Sequence, residues 1–106
     1  MIDRARLSEL KEEIGEEDFG EVAAIFLDEM NETLSALSAN PEAVTAAAFH
    51  GLRGSASNLG FSGFATACSN AEKRCLTGER IDLVPLTALF RASVAMAGDE
   101  LPAMVA

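Results

Sequence analysis

An all-α fold, an up-down antiparallel four-helix bundle with an additional short N-terminal helix, is what this 106-residue sequence predicts. Three observations carry that expectation. No stretch shows sustained two-residue alternation, and β-branched residues are sparse. Apolar residues recur instead at three- and four-residue intervals. Cap and break signals divide the chain into four segments of about 16–20 residues with short connections, as between antiparallel neighbours.

The elements follow in order. A short helix over about Asp3–Ile14 ends before Gly15. Asp18 with Glu21 three residues later resembles a capping box and opens a helix to about Leu37, with Phe19, Val22, Phe26, Met30, Leu34 and Leu37 on one face. Asn40-Pro41 is a cap followed by proline at the first helical position. The helix it starts runs to Leu59 and stops at Gly60. Val44, Ala48, Leu52, Ser55 and Leu59 form its apolar side. Ser62 caps the next helix, with Phe64, Ala65, Cys68, Ala71 and Cys75 inward, ending near Gly78. Asp82 caps the last, where Pro85 is tolerated in the first turn. Its stripe is Leu83, Leu86, Phe90, Val94, Ala97 and Leu101, and Gly98 and Pro102 crowd its end. No internal repeat, low-complexity tract or linker interrupts residues 1–106, so one domain is expected.

Composition narrows the function. Hydrophobic residues make up 49%, ordinary for a globular fold. No apolar run approaches the roughly 20 residues of a membrane span. Asp3, Glu9, Glu12 and Glu13 break any signal-like N-terminus, and the expected location is cytoplasmic. A net charge of −9 argues against nucleic acid or an anionic membrane as partner. Residues 1–32 hold eleven acids and three bases, whereas residues 43–78 hold one acid and three bases. The second region therefore suits an anionic group such as phosphate. Cys68 and Cys75 lie roughly 10.5 Å apart along one helix, too far for a disulfide. One histidine and two separated cysteines match no zinc spacing, so no metal or cofactor is expected.

His50 is the sole histidine, in the run Ala46-Ala47-Ala48-Phe49-His50-Gly51-Leu52-Arg53-Gly54-Ser55. Gly51 and Gly54 each cost a helix interior about 1 kcal/mol relative to alanine, so bare backbone is needed there. At about 100° per residue, His50 falls roughly 160° from the centre of the apolar side, facing solvent. Ala43, Ala46, Ala47, Arg53, Gly54 and Ser57 share its face. That small-residue patch is a candidate docking surface. Gly54, at i+4, leaves the ring reachable, and Arg53, at i+3, can neutralise an anion attached to it.

His50-x-Leu52-Arg53-Gly54-Ser55, then Leu59-Gly60, Phe64, Cys68 and Glu72, resembles the signature of histidine-containing phosphotransfer (HPt) domains over about residues 46–78. The resemblance implies a phosphorelay intermediate: His50 accepts a phosphoryl group from the aspartate of one receiver domain and passes it to another. It implies response-regulator receivers and a hybrid histidine kinase as partners, with Mg²⁺ on the receiver. Arg53 matches the basic residue beside the phosphoryl group, Gly54 the clearing glycine, and Glu72 a glutamate or glutamine near the imidazole. Arginine stands where lysine is more usual. Gly51 is an unusual choice after the histidine and is expected to admit a close neighbouring helix. Ala71 replaces a larger aliphatic residue, which predicts looser packing.

Imidazole is largely neutral, hence nucleophilic, at cytoplasmic pH. A Glu72 carboxylate accepting from Nδ1–H would leave the lone pair on Nε2. No phosphate-binding glycine loop and no acidic pair for Mg²⁺ accompanies His50, so the chain is expected to be a monomeric phosphocarrier, half of a shared site, rather than an enzyme. Two alternatives stay open. One is a non-phosphorylated helical adaptor for a receiver or kinase. The other is the phosphoacceptor module of a chemotaxis-type kinase, which carries dimerisation and ATP-binding domains that this sequence does not contain.

Overall fold

A computed structural model of the chain describes residues 2–98 and 101. Its elements are α1 (Arg4–Ile14), α2 (Glu16–Ala39), a 3-10 turn (Pro41–Ala43), α3 (Ala46–Asn58), α4 (Ser62–Leu76) and α5 (Leu83–Ala97), and no strand occurs among the described residues. The all-α expectation stands. Contacts run α2 to α3, α3 to α4 and α4 to α5, and α5 returns to α2, closing a ring of four; α1 leans on α2 and α3. The α3–α4 pairing is the closest.

Side-chain caps set most helix starts. Asp3 accepts from Arg6 N at 3.1 Å, Thr45 from Ala48 N at 3.2 Å and Asp82 from Val84 N at 3.0 Å, each satisfying a first-turn donor the helix cannot. Three boundaries differ from the sequence reading. Helix α2 begins at Glu16, directly after Gly15 (φ 94°), so Asp18 sits inside its first turn rather than at a cap. Three acids in that turn suit the positive end of the helix dipole. Asn40 does cap Pro41, through Glu42 N at 3.1 Å, but only for a single 3-10 turn. Val44 leaves helical geometry (φ −75°, ψ 90°), and Thr45 starts α3 afresh. Ser62 is not the cap of α4: Phe61 holds that place without a side-chain bond.

The reason lies in the α3–α4 turn. Phe61 N donates to Ala56 O at 2.9 Å and Gly60 N to Ser57 O at 3.1 Å, the paired bonds of a Schellman ending. Phe61 O meanwhile accepts from Ala65 N at 2.8 Å, so the chain passes from one helix into the next with no residue spare for a polar cap. Gly60 has φ +73°, and an added Cβ would strike the Asp3 carbonyl. Helix α5 stops at Ala97, where Gly98 turns (φ 56°). Leu101 is buried beyond the helix rather than within it, and Pro102 lies outside the described residues.

The core is one cluster drawn from all five helices and the turn after α3. Phe49, Phe61, Phe64 and Phe90 are its largest fully buried side chains, each burial worth about 1.5–3 kcal/mol. The Phe64 and Phe90 rings lie 5.5 Å apart, and Phe61 meets Phe90 edge-on at 6.4 Å. On α3 the buried residues are Phe49, Leu52 and Ala56, followed by Leu59. Val44, Ala48 and Ser55 are only half-buried. Phe49 therefore takes the place given to Val44, because α3 starts later and its one aromatic ring claims the interior. On α2, Ala23 and Leu27 are buried where Val22 and Phe26 were expected. Cys68 is buried and Cys75 half-buried, both free thiols. Burial pushes the Cys68 thiol up to about 12. Ala71 is itself buried in the core and lines, with Ala67, Leu86 and Leu89 among others, a surface groove of about 330 Å³ between α4 and α5.

Candidate functional site

Thr45 and Phe49 together fix where His50 points. Thr45 sets the first residue of α3, Phe49 drives its own side inward, and His50, the next residue, is carried outward. Its side chain is 62% exposed. Nδ1 lies 3.3 Å from Glu72 Oε2, reaching across from α4. The same Nδ1 is 3.1 Å from Arg53 Nη2, one turn along α3. No described group hydrogen-bonds Nε2. The structure thus brings His50, Arg53 and Glu72 together at one nitrogen.

Glu72 is the more sheltered carboxylate, its side chain 24% exposed. Arg53 is half-buried, and its Nε is shielded from solvent without a hydrogen-bond partner. Gly54 is exposed, and a Cβ there would meet nothing within 4 Å. Its carbonyl accepts from Asn58 Nδ2 at 3.1 Å. Gly51 is equally open, so the close approach of a neighbouring helix expected there does not occur. It lines instead a shallow groove between α2 and α3 with Glu29, Glu32, Thr33 and Ser55.

The small residues divide. Ala47 and Ser57 are exposed on the His50 face of α3, and Ala46 is half-buried in its first turn. Ala43 belongs to the 3-10 turn and packs against the core, so it does not share that helix face. The grooves around Arg80 and Ile81 in the α4–α5 connection, one of about 490 Å³, lie elsewhere and hold none of the site residues. What sequence reasoning missed is that Arg53 and Glu72 would meet at the same atom. Glu72 follows from the match on α4, but only the crossing of α3 and α4 sets that convergence.

Among the described residues no group of three or more His, Cys, Asp or Glu side chains could hold a metal ion, and no helix is long and apolar enough to cross a membrane. No curated protein and no solved structure matches the chain significantly. The Hpt domain family model does, over residues 21–105, a span that runs from α2 past α5 and contains His50, Arg53, Gly54 and Glu72. Proteins of that family are phosphocarrier modules for histidine phosphotransfer in two-component phosphorelays. With an all-helical bundle, an outward histidine and a match over most of its length, this chain belongs to the Hpt domain family.

Proposed function

We propose that this chain is a monomeric, cytoplasmic phosphorelay intermediate. His50 accepts a phosphoryl group from the aspartate of one receiver domain and hands it to the aspartate of another, with a hybrid histidine kinase upstream. The observation that carries this reading is the imidazole itself: outward, held at Nδ1, and unencumbered at Nε2. Phosphoryl transfer asks for in-line approach and charge compensation more than for covalent help. Arg53 supplies a permanent cation within one turn of the ring, and Gly54 leaves the approach clear. Glu72 orients the ring and balances positive charge that develops on it. The receiver contributes its own acidic pocket and the Mg²⁺ bound there, so this chain needs no cofactor. Ala46, Ala47 and Ser57 form the surface on which the receiver seats, with Ala43 at its edge.

Incubation with a phosphorylated receiver tests the assignment. Wild-type protein should take up acid-labile, base-stable label, and His50→Gln should take up none; undiminished labelling of the variant would overturn the reading. A receiver that binds without transferring label would identify an adaptor instead. Arg53→Ala should slow transfer about ten- to a hundredfold, since one charge-stabilising donor is lost at an exposed site. Its unfolding free energy should stay within about 0.5 kcal/mol of wild type, because the guanidinium anchors nothing in the core.

A further inference from the structure

Two groups of opposite charge reach for one atom. Arg53 Nη2 stands 3.1 Å from His50 Nδ1, and Glu72 Oε2 stands 3.3 Å from the same nitrogen. A guanidinium can only donate and a carboxylate can only accept, whereas an imidazole nitrogen presents either a lone pair or an N–H in the ring plane. The two contacts therefore belong to different tautomers. Arg53 needs a bare Nδ1, which in a neutral ring puts the proton on Nε2. Glu72 needs Nδ1–H, which leaves the lone pair on Nε2. Arg53 and Glu72 form no ion pair with each other among the described residues, so neither is diverted from the ring by its rival. Nδ1 is the one hydrogen-bond partner that the described residues offer Arg53, whose Nε is already cut off from water. Glu72 keeps partial access to solvent.

We propose that Arg53 is a tautomer-selecting residue. In the unphosphorylated protein it donates to Nδ1, places the ring proton on Nε2 and so withholds the attacking lone pair. This rests on the assignment of His50 as phosphoacceptor and adds a second task for Arg53. An arriving phosphoryl group offers the guanidinium better acceptors and draws it off the ring. The ring proton then exchanges through water to Nδ1, where Glu72 accepts it. The Nε2–P bond forms as the P–O bond to the receiver aspartate breaks, the electron pair departs with the aspartate carboxylate, and no proton moves in that step. The ring is left as an imidazolium, its Nδ1–H held by the Glu72 carboxylate and its phosphoryl oxygens by Arg53. The outer nitrogen thus becomes nucleophilic when a phosphoryl donor is in place.

Long-range ¹H–¹⁵N NMR of the unphosphorylated full chain reads this directly, because its single histidine contributes one set of ring signals. At mildly alkaline pH the wild-type ring should show the Nε2–H form in about fivefold excess. Arg53→Ala should lower that ratio at least about threefold, toward Nδ1–H, and Glu72→Ala should leave Nε2–H dominant. A wild-type ring mainly in the Nδ1–H form, or a ratio that moves less than this in Arg53→Ala, would overturn the proposal. The measurement involves no phosphoryl donor, so its failure leaves the relay assignment standing, and a failure of label uptake leaves the tautomer result standing.

Discussion

The α3–α4 pair has an inner side and an outer face, and its glycines separate the two. Gly60, at the turn, has a positive φ and a neighbouring carbonyl where a side chain would go; the fold requires it. Gly51 and Gly54, on α3, have ordinary helical backbone and open space around any added Cβ. Nothing inside the molecule asks for them, although each weakens the helix. The difference teaches how to divide small residues between architecture and function: a glycine that the fold explains is structural, and one that costs stability without an internal reason faces something outside. In the proposed relay, Gly54 would have that reason in a receiver approaching His50.

The largest expected effect tests the inner side. Gly60→Ala forces an alanine into the left-handed region and pushes against the Asp3 backbone, and should cost about 2–4 kcal/mol. Urea unfolding should show a lower midpoint at unchanged slope; a loss below about 1 kcal/mol would break the contrast. A smaller effect comes from Cys68, on the inner side of α4. Its thiol is held up to about 12 in the folded chain against an ordinary 9.0. Below pH 9 both folded and unfolded chains keep the proton and stability is unaffected. Above it the unfolded chain releases the proton first, so stability should fall as pH rises from 9 toward 12, by about 1 kcal/mol at pH 10. Cys68→Ala should flatten that part of the pH–stability curve. Smallest and opposite in sign, Gly54→Ala and Gly51→Ala should each stabilise the protein by about 0.5–1 kcal/mol in the same urea experiment, while Gly54→Ala slows uptake of label. Destabilisation by either would mean an internal role on the outer face.

The division also explains what was legible in the sequence. Helix existence, the stop at Gly60 and the outward direction of His50 all follow from local chemistry: periodicity, a glycine at a helix end, and a rotation of about 100° per residue. The start of α3 did not, because Asn40-Pro41 and Thr45 are both good caps, and the choice between them is made by packing of the 3-10 turn against the core. That later start brings Phe49 onto the buried side and leaves Ala43 off the His50 face. Ser62 has the chemistry of a cap but lies inside α4, because the Schellman turn leaves no residue between the helices for one. At the site, His50, Arg53, Gly54 and Glu72 were each visible singly. Their convergence on Nδ1 was not, since it depends on how α4 crosses α3.

Residues before position 21 fall outside the span the family shares, yet α1 and its cap residue are stitched to the rest by hydrogen bonds. Asp3 N–H donates to the Gly60 carbonyl at 2.6 Å, and Arg4 Nη2 donates to the Met96 carbonyl near the end of α5 at 2.8 Å. Asp3 and Arg4, at the start of this segment, therefore buckle the hinge of the central hairpin to the tail of the last helix. Trimming the protein down to its shared span would cut that strap and free the α3–α4 turn and the end of α5 at once, so this chain carries part of its rigidity in the stretch that a family comparison would discard.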